Sequence, residues 1–260
     1  MDLGLKDKRV LITGASQGIG EALARAFAQE GCRLHLVARS QDRLDQLARG
    51  LNAQQGVRAT AHALDLTRPG AAERLAETVG AVDVLVNNAG AIPGGTLWEV
   101  DEAKWRAGWE LKVMGYINLT RALYPRLKAQ GGGVIINNIG SGGEVFDAGY
   151  IAGAAGNASL MAFTRALGGR SPDDNIRVVG VNPGPVDTPR IDNLFKKRAA
   201  ARYGDESKFN LFRESLPFHR PALASEVADL IVFLASPRAG YVSGTIVTID
   251  GGAASRDSIV

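Results

Sequence analysis

The chain has 260 residues, of which 45% are hydrophobic, enough to bury one sizeable core. Its 30 basic and 27 acidic residues leave a formal charge of +3, too small to indicate a nucleic-acid surface. A single cysteine, Cys32, excludes an internal disulfide and a cysteine-cluster metal site, and the three histidines lack metal-ligand spacing. No metal and no nucleic-acid partner are therefore expected.

Hydropathy gives no indication of a membrane partner. No apolar run reaches the roughly 18 residues of a spanning helix, and residues 1–8 lack the apolar centre of a secretion signal. We therefore expect a cytoplasmic protein that acts on a small molecule.

Apolar runs typical of buried strands alternate with segments of helical periodicity. The predicted strands lie at 10–12, 34–37, 82–86, 134–137, 176–181 and 245–249. The predicted helices lie at 21–27, 44–53, 101–130, 149–168 and 225–235. Such apolar strands are buried on both faces, which favours an α/β fold with a doubly wound parallel sheet of Rossmann type and helices on both faces. We expect one domain over 1–253 and a polar tail at 254–260.

A glycine-rich turn follows the first predicted strand and precedes the first predicted helix. Gly14, Gly18 and Gly20 occupy this turn, with Ser16-Gln17 and Ile19 between them. Glycines let the backbone approach a pyrophosphate closely, and the helix N-terminus then binds its negative charge. The turn predicts a dinucleotide site; the alternative is a tight turn that requires glycines for its own geometry.

Five motifs in order extend this prediction along the chain. They are Thr13–Gly20, Asp65-Leu66, Asn87–Gly90, Pro183–Thr188 and Asp250–Gly252. With them the chain resembles the short-chain dehydrogenase/reductase family over nearly its whole length. The resemblance implies a seven-stranded sheet, hydride transfer between nicotinamide and a carbonyl or secondary alcohol, and a homodimer or homotetramer packed through long helices.

The motifs also predict which residues hold the cofactor. Asp65, at a strand end, can accept a hydrogen bond from the adenine amino group, and Asn88-Ala89-Gly90 lets the backbone pass close to the adenine ribose. The full predicted set is Gly14, Ser16, Gln17, Gly18, Ile19, Gly20, Arg39, Ser40, Asp65, Leu66, Asn88, Ala89, Gly90, Pro183, Gly184, Val186 and Thr188.

The choice between the two nicotinamide cofactors depends on the end of the second predicted strand. NAD-preferring proteins of such folds usually place an acid there, whereas this chain has Ala38-Arg39-Ser40. Arg39 and Ser40 can bind a 2′-phosphate by charge-assisted hydrogen bonds. NADP(H) is therefore the preferred cofactor and NAD(H) the alternative, in which Arg39 is only a solvated loop residue.

The catalytic positions depart from the family pattern, which sets a Ser, a Tyr, a Lys four residues after the Tyr, and an Asn on the preceding long helix. Ser141 fits the serine position, and Tyr150 is the only nearby tyrosine, but Ala154 follows it by four. A threading anchored on Tyr150 needs three inserted residues. The gapless threading, which we prefer, places Gly153 in the tyrosine position and Asn157 in the lysine position.

On the long helix, Lys112 occupies the usual asparagine position, so the lysine and the asparagine are exchanged. We therefore predict a catalytic set of Ser141, Tyr150, Lys112 and Asn157. In this set Ser141 and Tyr150 act on the substrate oxygen, Lys112 supplies the ammonium, and Asn157 binds ribose hydroxyls or completes a proton relay. The alternatives are a solvated Lys112, a packing role for Tyr150, and Glu144 or Asp147 as acid–base groups.

Residues 188–221 lie where the family carries its substrate lid. This segment contains the basic residues Lys196-Lys197-Arg198 and Arg202. They can attract an anionic substrate, such as a carboxylate or the phosphates of an acyl carrier or coenzyme A thioester, or form a solvated helix face.

Two functions follow from these patterns. The first is an NADP(H)-dependent oxidoreductase. The second is a catalytically silent nucleotide-binding protein, a sensor or a stabilising subunit, because the usual Tyr and Lys positions are empty.

Overall fold

The computed structural model describes residues 1–54 and 56–256, and within these ranges the chain forms seven strands and nine α-helices. The strands are β1 Arg9–Thr13, β2 Arg33–Ala38, β3 Arg58–Ala63, β4 Val84–Asn87, β5 Gly133–Asn138, β6 Ile176–Pro183 and β7 Thr245–Ile249. The helices are α1 Gly18–Gln29, α2 Gln41–Asn52, α3 Ala71–Val79, α4 Glu102–Trp109, α5 Gly115–Ala129, α6 Ile151–Arg170, α7 Pro189–Tyr203, α8 Asn210–Glu214 and α9 Ala224–Ala235. The predicted tail residues 257–260 lie outside the described residues.

The strands form one parallel sheet in the order β3-β2-β1-β4-β5-β6-β7. This arrangement confirms the predicted doubly wound Rossmann-type sheet. The chain builds outward from β1 to β3 and then returns to place β4 on the other side of β1. Ligands of open α/β sheets bind at such a switch point, outside the carboxyl ends of the strands.

Helices cover both faces of the sheet because successive strand residues point to opposite sides. Val10 and Ile12 of β1 pack in one core with α1, α2 and α9. Leu11, between them, faces a second core that contains residues of α3 and α5. Leu160 and Met161 of α6 extend the covering of this second face. The sheet is therefore covered by a helical layer on each face.

Cys32 is a packing residue between β2 and the chain's first loop. It is fully buried, and its Sγ lies 3.3 Å from the carbonyl oxygen of Leu5. Burial raises the pKa of its thiol to about 12, which makes the reactive thiolate scarce at neutral pH.

In the part of the chain that the structure describes, no helix is both long enough and apolar enough to cross a membrane, and no group of three candidate metal ligands occurs.

Candidate active site

A groove of about 390 Å³ opens at the switch point of the sheet, beyond the carboxyl ends of β1 and β2. The glycine turn forms one wall, and the residues that follow β2 and β4 form the others. Most of the residues predicted to bind the cofactor line it: Gly14, Ser16, Gln17, Gly18, Ile19, Gly20, Arg39, Ser40, Leu66, Asn88, Ala89, Gly90 and Thr188.

At Gly14 and Gly20 the glycine turn has no room for a side chain. Gly14 has φ +67°, and a Cβ there would lie 2.9 Å from the Cα of Ala89. A Cβ on Gly20 would lie 2.0 Å from the carbonyl oxygen of Gly14. Helix α1 begins at Gly18, and the Gln17 side chain does not cap it, which leaves first-turn N–H groups for an anion. The turn therefore fits the phosphates of a dinucleotide.

Hydrogen bonds tie together the carboxyl ends of β1, β4 and β5. Thr13 Oγ1 accepts from the backbone N–H groups of Asn88 and Ala89, at 2.9 and 3.0 Å. Asn88 Nδ2 donates to the carbonyl oxygen of Thr13 at 3.0 Å, and Asn138 Nδ2 donates to Asn88 Oδ1 at 2.7 Å. The Asn-Ala-Gly motif thus holds the floor of the groove in place.

One end of the groove is basic. Arg39 and Ser40 line it as predicted, together with Arg43 of α2, and none of the described lining residues is an acid. Arg43 Nη1 donates to Gln17 Oε1 across the groove at 2.5 Å. Sequence reasoning missed Arg43, because it precedes the predicted helix 44–53 and lies in the first turn of α2.

Asp65 lies apart from the groove lining. Its Oδ1 accepts from the backbone N–H and the hydroxyl of Thr67, at 3.0 and 2.8 Å. These hydrogen bonds, with Arg39 and Arg68 nearby, hold the pKa of the carboxyl below its usual value. Leu64 and Leu66, on either side of it, line the groove instead. The contact of Asp65 with adenine stays a prediction.

A second cavity of about 390 Å³ adjoins the groove, and the two share Ile19, Asn88, Gly90, Thr188 and Arg190. All four predicted catalytic residues line this cavity: Lys112, Ser141, Tyr150 and Asn157. Pro183, Gly184 and Val186, which were predicted to bind cofactor, also line it. The structure therefore brings the predicted polar groups to one space that continues into the nucleotide groove, while their chemical roles stay predictions.

The ring of Tyr150 lies in the space that a side chain at Gly153 would occupy. A Cβ on Gly153 would lie 1.9 Å from Cζ of Tyr150, and one on Gly142 would lie 3.3 Å from the same ring. Tyr150 is the N-cap of α6, with the non-helical backbone angles φ −136° and ψ 34°. Its side chain therefore need not point in the direction that side chains within a helix take. Its ring can therefore extend over the first turn of α6.

Asn157 follows on the same helix and is only 2% exposed. Its Nδ2 lies beside Gly140 and Gly142, 3.2 and 3.5 Å from where their Cβ atoms would be. Its Oδ1 is buried and accepts no hydrogen bond from the described residues. A buried amide oxygen of this kind normally has a partner, which suits a ligand hydroxyl or an ordered water in the cavity.

Lys112 lies in the π-helical segment Glu110–Met114 that joins α4 to α5. It is 8% exposed, so it does not extend into bulk solvent, and its Nζ donates a very short hydrogen bond to the carbonyl oxygen of Ile139. A Cβ on Gly90 would lie 2.8 Å from its Cδ, so the glycine makes room for the lysine stem. Burial, with Arg190 nearby, lowers the pKa of Lys112 to about 7.

The pKa of Lys112 predicts a pH-dependent stability. Its folded value of about 7 lies below the unfolded value of about 10.4, so between these values the unfolded chain binds more protons and the free energy of unfolding rises with pH. Below about pH 7 the amine is protonated in both states and the destabilisation is complete. Across the window the contribution is on the order of 4 kcal/mol.

Lys112→Met removes this contribution, so the variant should gain stability over the wild type at about pH 6 and lose that gain by about pH 10. Urea unfolding of both proteins at the two pH values measures the difference. Lys197→Met, at an exposed lysine of α7, should show no such change. Equal differences at both pH values would contradict the low pKa.

The segment 188–221, predicted as a lid, folds as α7, α8 and short 3₁₀ turns over the second cavity. Ile191, Leu194 and Phe195 of α7 line the cavity. Of the four basic residues singled out in this segment, Arg198 alone lines the cavity, and its Nη2 lies 2.6 Å from Asp147 Oδ2. This segment therefore contributes both apolar side chains and two arginines, Arg190 and Arg198, to the cavity wall.

Glu144 and Asp147, the alternative acid–base residues in the loop before α6, are both bonded to other side chains. Asp147 forms the ion pair with Arg198, and Glu144 Oε2 accepts a hydrogen bond from Thr248 Oγ1 at 2.8 Å.

Trp105 and Trp109 pack around Ile92 and Val100, whereas Trp98 is 90% exposed.

This combination of a parallel sheet, a glycine turn and a polar cavity beside the groove agrees with comparison to known proteins. The sequence profile of the family described as short chain dehydrogenase matches residues 8–199. The chain therefore belongs to the short-chain dehydrogenase/reductase family of oxidoreductases, as its motifs predicted.

Relatives match along nearly the whole chain. Oxidoreductase UcpA of Salmonella typhimurium is 34% identical over 98% of this chain and 97% of its own. The 3-oxoacyl-(acyl-carrier-protein) reductase FabG of Thermotoga maritima is 34% identical over 95% of this chain and 98% of its own. Among solved structures, L-sorbose reductase from Gluconobacter frateurii, complexed with NADPH and L-sorbose, is 37% identical, with a TM-score of 0.91 and 100% of both chains covered.

Proposed function

We propose that this protein is an NADP(H)-dependent oxidoreductase that interconverts a carbonyl compound and a secondary alcohol. The observation that carries the proposal is one cavity, lined by Ser141, Tyr150, Lys112 and Asn157, that opens into the glycine-turn groove. A hydroxyl and a phenol beside a nucleotide groove are the groups that carbonyl reduction requires.

The bound nicotinamide cofactor supplies or accepts the hydride at the carbonyl carbon. The chain's own residues handle the substrate oxygen. Ser141 donates a hydrogen bond that polarises it, and the phenol of Tyr150 gives it a proton in reduction or takes one in oxidation. The buried Oδ1 of Asn157 accepts from a ribose hydroxyl or a relay water, and Lys112 holds the end of β5 in place through its hydrogen bond to the carbonyl oxygen of Ile139.

The experiment that tests this function is a substrate panel followed by NADPH absorbance. The panel contains ketoses and polyols, 3-oxoacyl thioesters, and alicyclic ketones and alcohols, because relatives named above act on the first two classes. Turnover with one class supports the proposal and identifies the substrate. Tight NADPH binding with no hydride transfer to any class supports the silent alternative, which the empty Tyr and Lys positions favour.

The preference for NADP(H) rests on the basic end of the groove. Arg39 and Arg43 flank Ser40 there, and a charge-assisted hydrogen bond to a phosphate contributes roughly 1.5–3 kcal/mol. NADPH in the complexed sorbose reductase supports the same preference.

We therefore expect Arg39→Ala and Arg43→Ala each to raise the Kd of NADPH by about tenfold or more and to leave the Kd of NADH nearly unchanged. Fluorescence titration of both cofactors measures this. Arg49→Ala, at an exposed arginine in the last turn of α2 that does not line the groove, is the matched control. Equal weakening of both cofactors would contradict a 2′-phosphate contact.

We also propose that the protein assembles as a homodimer or homotetramer through its two long helical stretches, α4–α5 and α6. Leu97 is 50% exposed and Met114 39% exposed, and both line a surface groove with Trp105 and Trp109 of α4, which gives this side of the molecule apolar surface. Contiguous exposed apolar patches mark interaction surfaces. Light scattering of the purified protein gives the assembly mass.

A further inference from the structure

Arg190, the second residue of α7, is a cation at the junction of the two cavities. Its guanidinium spans three acceptors. Nη2 lies 3.2 Å from the carbonyl oxygen of Ile92 and 3.4 Å from the phenol oxygen of Tyr150, and Nη1 lies 3.4 Å from the carbonyl oxygen of Gly90. No sequence motif singled out this residue, and its role in the site arises only from the fold.

Lys112 is less suited than Arg190 to stabilise a negative charge on the phenol oxygen of Tyr150. Its Nζ is directed at the carbonyl oxygen of Ile139, and its pKa of about 7 leaves it only partly charged at neutral pH. A guanidinium is charged at all relevant pH values, and it offers donors in a fixed planar fork. Arg190 is thus a permanent cation with a donor directed at the phenol oxygen.

We propose that Arg190 is a positioning residue for catalysis: it holds the phenol of Tyr150 over Gly153 and stabilises the phenolate formed when the proton leaves. The inference rests on the proposed function of Tyr150. In reduction the phenol O–H bond breaks, a new O–H bond forms on the substrate oxygen, and the hydride from the reduced nicotinamide completes the alcohol. The negative charge stays on the phenol oxygen beside the guanidinium until water reprotonates it.

Other charged groups around the phenol do not replace this contact. Among the described residues lining the cavity, the further ionisable groups are Lys112, Asp147 and Arg198. Asp147 and Arg198 pair with each other at 2.6 Å and largely cancel. Tyr116, buried nearby, donates to the carbonyl oxygen of Asn138 at 2.8 Å, and burial raises its pKa, so it stays neutral.

Because Arg190 belongs to the first turn of α7, the cation comes from the segment 188–221 that covers the cavity. Its bonds to the carbonyls of Gly90 and Ile92 anchor that turn to the loop after β4. The same two hydrogen bonds therefore hold the first turn of α7 over the cavity and the guanidinium beside the phenol.

The test compares Arg190→Gln, Arg190→Lys and the control Lys197→Gln, which removes an exposed positive charge from the same helix. The first readout needs no turnover: the ultraviolet phenolate absorbance of each protein as a function of pH, with the curve of the same protein carrying Tyr150→Phe subtracted. An opposite charge near an ionisable group favours its charged form by roughly one to three pH units. We expect Arg190→Gln to move the Tyr150 curve to higher pH, and Arg190→Lys to restore part of that change.

The second and third readouts are the pH profile of kcat and the Kd of NADPH. In alcohol oxidation, where the phenolate accepts the proton, Arg190→Gln should lower kcat at neutral pH by about tenfold or more and move the rise of kcat with pH to higher pH, with the Kd of NADPH changed little. An unmoved phenolate curve would overturn the inference, whether or not kcat falls. A raised Kd for NADPH with an unmoved curve would make Arg190 a cofactor ligand instead. A moved curve in a protein that reduces no substrate would support the contact and reject the proposed function.

Discussion

Replacing Tyr150 by phenylalanine is expected to lower kcat by about 100-fold or more while the Kd of NADPH changes little. The variant keeps the ring that fills the space beside Gly153 and removes only the hydroxyl, so packing is preserved. Proton transfer by a positioned side chain contributes typically 10²–10⁴-fold to a rate. Steady-state kinetics on the substrate found in the panel, with a fluorescence titration of NADPH, measures both quantities.

The matched control is Tyr241→Phe, because the Tyr241 side chain is fully exposed and lies outside both cavities. It should change neither quantity. Full activity in Tyr150→Phe would assign the proton to another group. Asp147 and Glu144 would then be the next candidates, and their ion pair and hydrogen bond in the structure would need to open to release them.

The sheet was predictable from sequence where strands are buried on both faces. The run 10–12 is apolar throughout, the run 176–181 has a single charged residue, and the structure places the buried strands β1 and β6 there. The strand β3, with sequence Arg-Ala-Thr-Ala-His-Ala, gave no such run because it lies at the edge of the sheet and is mostly exposed or half-buried. Helix α3 was missed as well, since its nine residues offer only two turns of periodicity.

The nucleotide groove was predictable because its determinants are local in the chain. Gly14 has a positive φ, a Cβ on Gly20 would meet Gly14 within the same turn, and Arg39 follows β2 directly. The position of Tyr150 was not predictable to the same degree. The backbone angles of Tyr150 at the helix N-cap and the glycine at 153 decide where the ring lies, and the spacing of residues in the sequence reports neither.

Arg190 could not be found from sequence at all. It is 40 residues from Tyr150 in the chain, and the contact exists because β6 ends at the same sheet edge as β5. Long-range contacts of this kind depend on the order of strands and on how one helix begins. The periodicity of apolar residues reports neither the strand order nor the start of a helix in a polar segment such as 188–221.

The second large effect is expected from Gly153→Ala, which adds one methyl group to the first turn of α6. That Cβ would lie 1.9 Å from Cζ of Tyr150, so the ring must leave its place. A displacement of about 1 Å in a reacting group can cost roughly 100-fold in rate, and we expect a loss of kcat of about that size. The helix itself should tolerate alanine, which favours helix over glycine by up to about 1 kcal/mol.

Gly169→Ala separates displacement of the Tyr150 ring from the general effect of placing an alanine in α6. Gly169 lies on the same helix, and a Cβ there meets nothing within 4 Å. This control should keep full activity and gain slightly in thermal stability. The decisive comparison adds Gly153→Ala to Tyr150→Phe. If the alanine acts only by displacing the phenol, the double variant loses no more turnover than Tyr150→Phe alone, since coupled residues give non-additive effects. Additive losses would mean that the first turn of α6 supports catalysis by a route independent of Tyr150.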